Sequence, residues 1–167
     1  MNKPEIAYIA LGSNLGDRLG QMRRALELLE ADYDFTVLRA SRVYQNRAVG
    51  MGEAAGDFLN AVAELRSGLE PLELLDACLE VEQQLGRTRS EEGWLPRTID
   101  LDLLVFEGVS LEHERLTLPH PRIAERDFVA VPFAELAPEL ELGGRSVREM
   151  VEALPENDLE LYPEGLI

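Results

Sequence analysis

The chain has 167 residues, 46% of them apolar, and a formal net charge of −16: long enough for one domain with a sound core, and too acidic for nonspecific binding to nucleic acid. No apolar run reaches the roughly 20 residues that span a bilayer, and the stretch MNKPEIAYIALGSN lacks the h-region and cleavage site of a signal peptide. The single cysteine, Cys78, excludes an internal disulfide and fits a reducing compartment, so a cytoplasmic location is expected, with no membrane partner.

In chain order, EIAYIALGSN reads as a strand ending at Gly12 and Ser13. NLGDRLGQMRRALELLEAD reads as a helix with Leu19, Met22, Leu26 and Leu29 on one face and Asn14 as N-cap. FTVLRASRVYQN reads as one strand, RAVGMGEAAGD as an aperiodic loop, and FLNAVAELRS as another strand. GLEPLELLDACLEVEQQLG is a helix begun by Pro71 and stopped by Gly86, with Cys78 in its apolar pattern. RTRSEEGWLP is a second loop, and RTIDLDLLVF is the strand that follows it. Beyond lie a short strand around Leu116–Leu118, a turn punctuated by proline, short helical pieces and a last helix in SVREMVEALPEN. One domain over residues 1–167 is expected, with an acidic tail after about residue 155 that is loosely held. The order β-α-β-β-α-β predicts an α+β, ferredoxin-like fold. In it two helices cover one face of an antiparallel sheet and leave the other for loops and ligands, with additions at the C-terminus.

RTIDLDLLVF holds a conflict. Ile99, Leu101, Leu103 and Val105 alternate as a core face, and Leu104 and Phe106 make the opposite face apolar too, so the strand is expected to be central. Asp100 and Asp102 nevertheless share that opposite face, with Cα atoms roughly 7 Å apart. Two carboxylates aimed at one spot need solvent, arginine partners or a divalent metal. Lys3 is the only lysine; the other cations are arginines, whose planar fork suits phosphate oxygens, although abundant glutamate could simply pair with them. Phe58 and Asn60 point the same way from their strand, an arrangement that suits either packing or the grip of a flat heterocycle. His120 lies between prolines in LPHPR, with Arg115, Thr117, Arg122 and Arg126 near it in sequence. Trp94, beside Gly93, is either a loop anchor or a side chain that closes over a ligand.

YIALGSNLGDR, FLNAVAEL, LEVEQQLGRTR, PRTIDLDLL and RLTLPHPR occur in one order. Together they resemble the 6-hydroxymethyl-7,8-dihydropterin pyrophosphokinase family of folate biosynthesis over most of the chain, to about Pro138. The resemblance implies an ATP-dependent diphosphotransferase that moves a pyrophosphoryl group from ATP to the pterin hydroxymethyl and releases AMP. It implies that Asp100 and Asp102 hold two Mg²⁺ ions with ATP as co-substrate, and that Arg87 and Arg97 engage the phosphates and support transfer. It implies ATP contacts from Arg89 and Trp94 on a closing loop and from Arg115, Thr117, His120 and Arg126. Asn60 is implied as the pterin's amide partner, Phe58 and Phe128 as the rings that sandwich it, and Glu82 as a family acid whose role is functional or structural. ATP and a reduced pterin are the implied partners of what is expected to be a monomer. The chain departs from the family after Tyr44, where Asn46 and Arg47 stand in place of Thr and Pro in a longer, glycine-rich loop. Asn46 offers a polar contact there, and weaker pterin binding is expected. The rival readings are a nucleotide-sugar transferase using D-x-D for its metal and a non-catalytic MgATP-binding paralogue.

Overall fold

The computed structural model describes residues 5–14, 16–46, 58–86, 99–155 and 159–167. Its first part runs β1 (Glu5–Ser13), α1 (Arg18–Asp32), β2 (Phe35–Ala40), β3 (Tyr44–Asn46), β4 (Phe58–Ser67), α2 (Pro71–Gln84) and β5 (Asp100–Phe106). A hairpin of β6 (Leu111–Glu112) and β7 (Thr117–Leu118) follows, then a 3-10 turn at Ile123–Glu125 and α3 (Asp127–Leu136). The hairpin β8 (Glu141–Leu142) and β9 (Arg145–Ser146), α4 (Val147–Ala153) and β10 (Glu160–Leu161) complete the order. The main sheet is ordered β10-β3-β4-β1-β5, with β2 also on β4, and every pairing is antiparallel. This is the α+β, ferredoxin-like arrangement expected from the element order.

The alternation in β1 and β4 puts Ile9, Leu11, Leu59 and Leu65 against Met22 and Leu29 of α1 and Leu74 and Val81 of α2, all buried. All four apolar positions predicted for α1 face this core. Its N-cap is Asp17, not Asn14: the Asp17 carboxylate accepts the Gly20 amide hydrogen at 3.1 Å, while Asn14 is buried in the turn before it. Cys78 is buried among these side chains, and burial pushes its thiol pKa up, with Glu82 and Asp102 adding to the effect.

The single strand predicted over FTVLRASRVYQN is two. Ser41 breaks it by bonding to Val62 twice: its amide donates to the Val62 carbonyl at 2.8 Å and its hydroxyl accepts the Val62 amide at 2.9 Å. The opposite face of the sheet is not wholly free either. The Ile123 turn, α3 and α4 lay Ile123, Phe133, Val147 and Met150 on Tyr8, Val62, Leu104 and Val105. Phe133 is fully buried, its ring centroid 5.0 Å from that of Tyr8. Ion pairs fasten α3 at its C-terminal end. Glu135 accepts from Arg42 Nε at 3.1 Å and from the Tyr44 hydroxyl at 2.8 Å. Arg39 Nη2 donates to Glu64 at 2.6 Å and to the Leu136 carbonyl at 2.8 Å. Burial, and then the bond to Glu135, pushes the Tyr44 pKa up to about 12, so the phenol remains a donor at neutral pH. Among the described residues the α3–α4 layer covers the Tyr8, Val62 and Leu104 part of the face, and Gly12 lies beyond the cluster it forms.

The tail, expected to be loosely held, is attached at several points from Leu159 onward, including a bond from the Tyr162 amide to the Val43 carbonyl at 2.9 Å. β10 pairs with β3, Leu166 is 4% exposed within the helix-side core, and the Arg23 guanidinium donates to the Gly165 carbonyl at 2.6 Å. The acidic composition concealed one well-buried leucine. Leu166→Ala should cost about 2–3 kcal/mol in chemical denaturation, whereas a loss below about 0.5 kcal/mol, typical of surface positions, would mean that the tail adds nothing to the core.

Candidate active site

Strand register builds the site. Tyr44, Asn60, Gly12 and Asp100 pair in one row across β3, β4, β1 and β5. The next row sets Val62, Ala10 and Asp102 side by side. On the face away from α1 and α2, an amide and two carboxylates are therefore separated by residues with little or no side chain. Asn60 and Asp100 stand two strand spacings apart, about 10 Å. A Cβ on Gly12 would meet Asn60 Oδ1 at 3.5 Å and the Leu59 carbonyl at 3.8 Å, ordinary contacts. The fold therefore tolerates a methyl group here, and what Gly12 contributes is the gap between the amide and the carboxylates. Asn60 Nδ2 donates to Asn46 Oδ1, bringing two of the predicted polar residues together. Phe58 pairs with Asn46 and is half-buried at the same end of β4.

Asp100 and Asp102 are both half-buried on β5. That strand was expected to be central. Among the described residues it pairs with β1 alone and forms the sheet edge. Its two-sided apolar pattern reflects the α3–α4 layer on one face and α2 on the other, not strands on both sides. At its outer edge the buried Glu82 carboxylate accepts the Leu101 amide hydrogen at 2.7 Å. Two carboxylates at i, i+2 are hard oxygen donors that suit Mg²⁺, whose other ligands come from water and phosphate. Among the described residues no group of three or more His, Cys, Asp and Glu side chains could cage an ion by itself. The donor set thus fits a metal shared with a substrate.

β5 also holds an extra residue. Ile9 pairs with Leu103 and Tyr8 with Val105, which leaves Leu104 as a bulge. Strict alternation ends there: Leu104 and Val105 both join the α3–α4 core, and Phe106 turns to the helix-side core. The Leu104 carbonyl accepts the His120 amide hydrogen at 2.8 Å, tying the LPHPR segment to the aspartate strand. His120 Nδ1 accepts the Arg122 amide hydrogen at 3.1 Å, so the neutral ring carries its proton on Nε2. Burial, then the charges of Arg126 and Arg122, lowers the His120 pKa from its ordinary 6.5. The Arg126 guanidinium stacks 6.0 Å from the Phe128 ring centroid at the start of α3. Thr117 is exposed on β7, and Arg115 pairs with Asp76 of α2. Phe58 and Phe128 thus come from different layers, strand and helix. Arg87, Arg89, Trp94, Arg97 and the loop after Asn46 lie outside the described residues. Sequence reasoning overlooked Gly12 as a spacer, and the bond between Glu82 and Leu101. The signal for the second was present: Glu82 follows Cys78 by four residues, a charge on the apolar stripe of α2.

A family model described as 7,8-dihydro-6-hydroxymethylpterin-pyrophosphokinase (HPPK) matches residues 8–138. Over 136 residues the chain is 46% identical to the 2-amino-4-hydroxy-6-hydroxymethyldihydropteridine pyrophosphokinase of Bacillus subtilis (strain 168), covering 81% of this chain and 80% of that one. Over 155 residues it is 43% identical to the protein of the same name from Methylorubrum extorquens, covering 92% and 96%. The fold is similar to that of a crystal structure of HPPK-DHPS in complex with substrates, with a TM-score of 0.68 at 13% identity, covering 90% of this chain and 43% of that one. Against wild-type Plasmodium falciparum HPPK-DHPS with STZ-DHP the TM-score is 0.65 at 15% identity, covering 91% and 42%. The chain spans less than half of those two longer chains.

The lowered His120 pKa has a stability consequence. The unfolded chain takes up a proton at this histidine near pH 6.5 while the folded protein resists it, so stability falls as pH drops through that value. Replacing His120 with Gln removes the titration. The decline between pH 7 and pH 5.5 should be shallower in the variant when unfolding is followed by denaturant titration; equal declines would show that burial of this ring has no such effect.

Proposed function

The chain belongs to the 7,8-dihydro-6-hydroxymethylpterin-pyrophosphokinase family, and from that footing we propose how its residues divide the work of the reaction. The activity is transfer of the pyrophosphoryl group of ATP to 6-hydroxymethyl-7,8-dihydropterin in folate biosynthesis, with release of AMP. The pterin hydroxymethyl oxygen bonds to the β-phosphorus, the bond from that phosphorus to the oxygen leading to the α-phosphorus breaks, and the hydroxyl proton is lost. Such a transfer needs in-line placement and charge neutralisation more than covalent help.

The observation that supports the division is the row from Asn60 across Gly12 to Asp100. Asn60 holds the pterin by its hydrogen-bonding edge, with Phe58 and Phe128 against the ring faces and Asn46 fixing the Asn60 amide. The gap over Gly12 and Ala10 lets the hydroxymethyl arm reach toward the carboxylates, and a span of about 10 Å suits a bicyclic ring with one exocyclic carbon. Asp100 and Asp102 hold Mg²⁺, two ions in this reading, which supplies charge neutralisation at the phosphate oxygens. His120, through its Nε2 proton, and Arg115, Thr117 and Arg126 take the nucleotide side. Arg115 must then exchange its exposed partner Asp76 for the ligand, a small loss for a surface pair. Arg87 and Arg97 engage the phosphates, and Arg89 and Trp94 close over ATP and exclude water. A single domain is proposed because both hydrophobic clusters share one sheet. A monomeric, cytoplasmic enzyme is part of this proposal, carried over from the sequence reading.

Incubation with MgATP and 6-hydroxymethyl-7,8-dihydropterin should yield AMP and the pterin diphosphate in equal amounts. Release of a nucleoside diphosphate instead would favour the sugar-transferase chemistry of other D-x-D proteins. Asp102→Ala should fold normally yet lose more than about 100-fold in turnover at saturating Mg²⁺. Wild-type turnover in that variant would remove Asp102 from the metal site.

Gly12→Val distinguishes the pterin end from the nucleotide end. The branched side chain fills the gap beside Asn60, so pterin affinity measured by calorimetry should fall about tenfold, with affinity for an ATP analogue unchanged. Unchanged pterin affinity would place the ring elsewhere.

A further inference from the structure

Glu82 is 2% exposed, one of the few charged side chains that the fold buries. It continues the stripe of Leu74, Cys78 and Val81 by which α2 meets the core. A carboxylate in such surroundings is costly unless its oxygens are met. Its Oε2 accepts the Leu101 amide hydrogen at 2.7 Å. Leu101 stands between Asp100 and Asp102, and its N–H is turned away from β1. β5 has no other strand partner among the described residues, so at this point the helix supplies the acceptor that a neighbouring strand would otherwise provide. The bond is charge-assisted, hence stronger than a neutral strand bond.

We propose that Glu82 is a positioning residue for the metal-holding pair. By pinning the Leu101 amide to α2, it fixes the pleat of an edge strand between its two aspartates, so that both carboxylates rise from the sheet in one orientation. Glu82 does this from the strand's edge, while Asp100 and Asp102 project from the face opposite α2. The inference rests on the reading of Asp100 and Asp102 as metal ligands and adds the group that holds them in register. A helix glutamate thereby sets metal affinity without touching the ion, as partners of ligating groups commonly do.

The test uses Glu82→Met, which keeps the volume and removes the acceptor, and Glu82→Gln, which keeps an acceptor and removes the charge. Two readouts are needed: hydrogen exchange of the Leu101 amide in metal-free protein, and the Mg²⁺ concentration that half-saturates binding of a non-hydrolysable ATP analogue. Glu82→Met should speed Leu101 exchange and raise the Mg²⁺ midpoint about tenfold, whereas Glu82→Gln, which keeps a weaker, uncharged acceptor, should move both clearly less. If Glu82→Met does not fold, Glu82→Asp replaces it: a carboxylate one methylene shorter falls short of Leu101 and should raise the midpoint likewise. Faster Leu101 exchange with an unmoved Mg²⁺ midpoint would overturn the proposal and leave the aspartate reading intact. So would a midpoint in Glu82→Gln shifted as far as in Glu82→Met, since charge and not the hydrogen bond would then be responsible. Asp102→Ala run beside them with a wild-type midpoint would instead overturn the ligand reading, and this inference with it.

Discussion

Between β1 and β5 the register runs Gly12 to Asp100, Leu11 to Leu101 and Ala10 to Asp102, and a slip of one residue would turn both aspartates into the helix-side core. Much of the molecule serves to prevent that slip. Leu101 and Leu103 are drawn into the core between sheet and helices, and reversing the strand would exchange them for carboxylates. The bulge at Leu104 ends the regular ladder, so that Leu104 and Val105 both meet the α3–α4 layer. β5 thus has one face set by α2 and the other by the C-terminal helices, although among the described residues it lies at an edge.

The same pairing places the candidate site residues. Gly12 and Ala10 are the β1 partners of the two aspartates, and their other neighbours are Asn60 and Val62 on β4. An amide at one side and carboxylates at the other are held by backbone ladders, which are stiffer than loops. The bulge carbonyl extends the order to His120, so the aspartate strand and the LPHPR segment share one rigid reference. α3, which carries Phe128, is fastened through Glu135 to Arg42 and Tyr44, the residue paired with Asn60. Phosphoryl transfer rewards this kind of fixed placement more than any single reactive group.

β1, β4, β5 and both core helices were legible as separate elements, FLNAVAELRS as one strand and the Leu19–Leu29 stripe as one helix face, while β2 was read together with β3 from its β-branched and aromatic content. The failures have physical causes. Ser41 breaks a strand by a hydroxyl bond to an amide some 20 residues away, which no local pattern encodes. Asp17 and Asn14 are both good caps, and the turn geometry decided between them. Apolar residues on both faces of β5 looked like the mark of a central strand, yet a helix layer buries a strand face as well as a second sheet does. The bulge was invisible because the adjacent Leu104, Val105 and Phe106 are all apolar and allow either alternation. Asp100 and Asp102 were legible as an unusual cost on a strand face, whereas Asn60 and Phe58 fitted packing as well as a ligand and took their expected role from the resemblance. The roles of Arg87, Arg89, Trp94 and Arg97 rested on the motif PRTIDLDLL and its neighbours, not on local physics.

The central claim is that β5, held in this register, presents Asp100 and Asp102 to a metal that the ATP phosphates share. Mn²⁺ in place of Mg²⁺, added with a non-hydrolysable ATP analogue, tests it through paramagnetic broadening of assigned amide resonances. The account predicts the strongest broadening at Asp100 to Asp102, weaker broadening at Ala10 and Gly12 on the adjacent strand, and a sharp loss of both in Asp102→Ala. Broadening centred on another part of the sheet, or unaltered by Asp102→Ala, would contradict it.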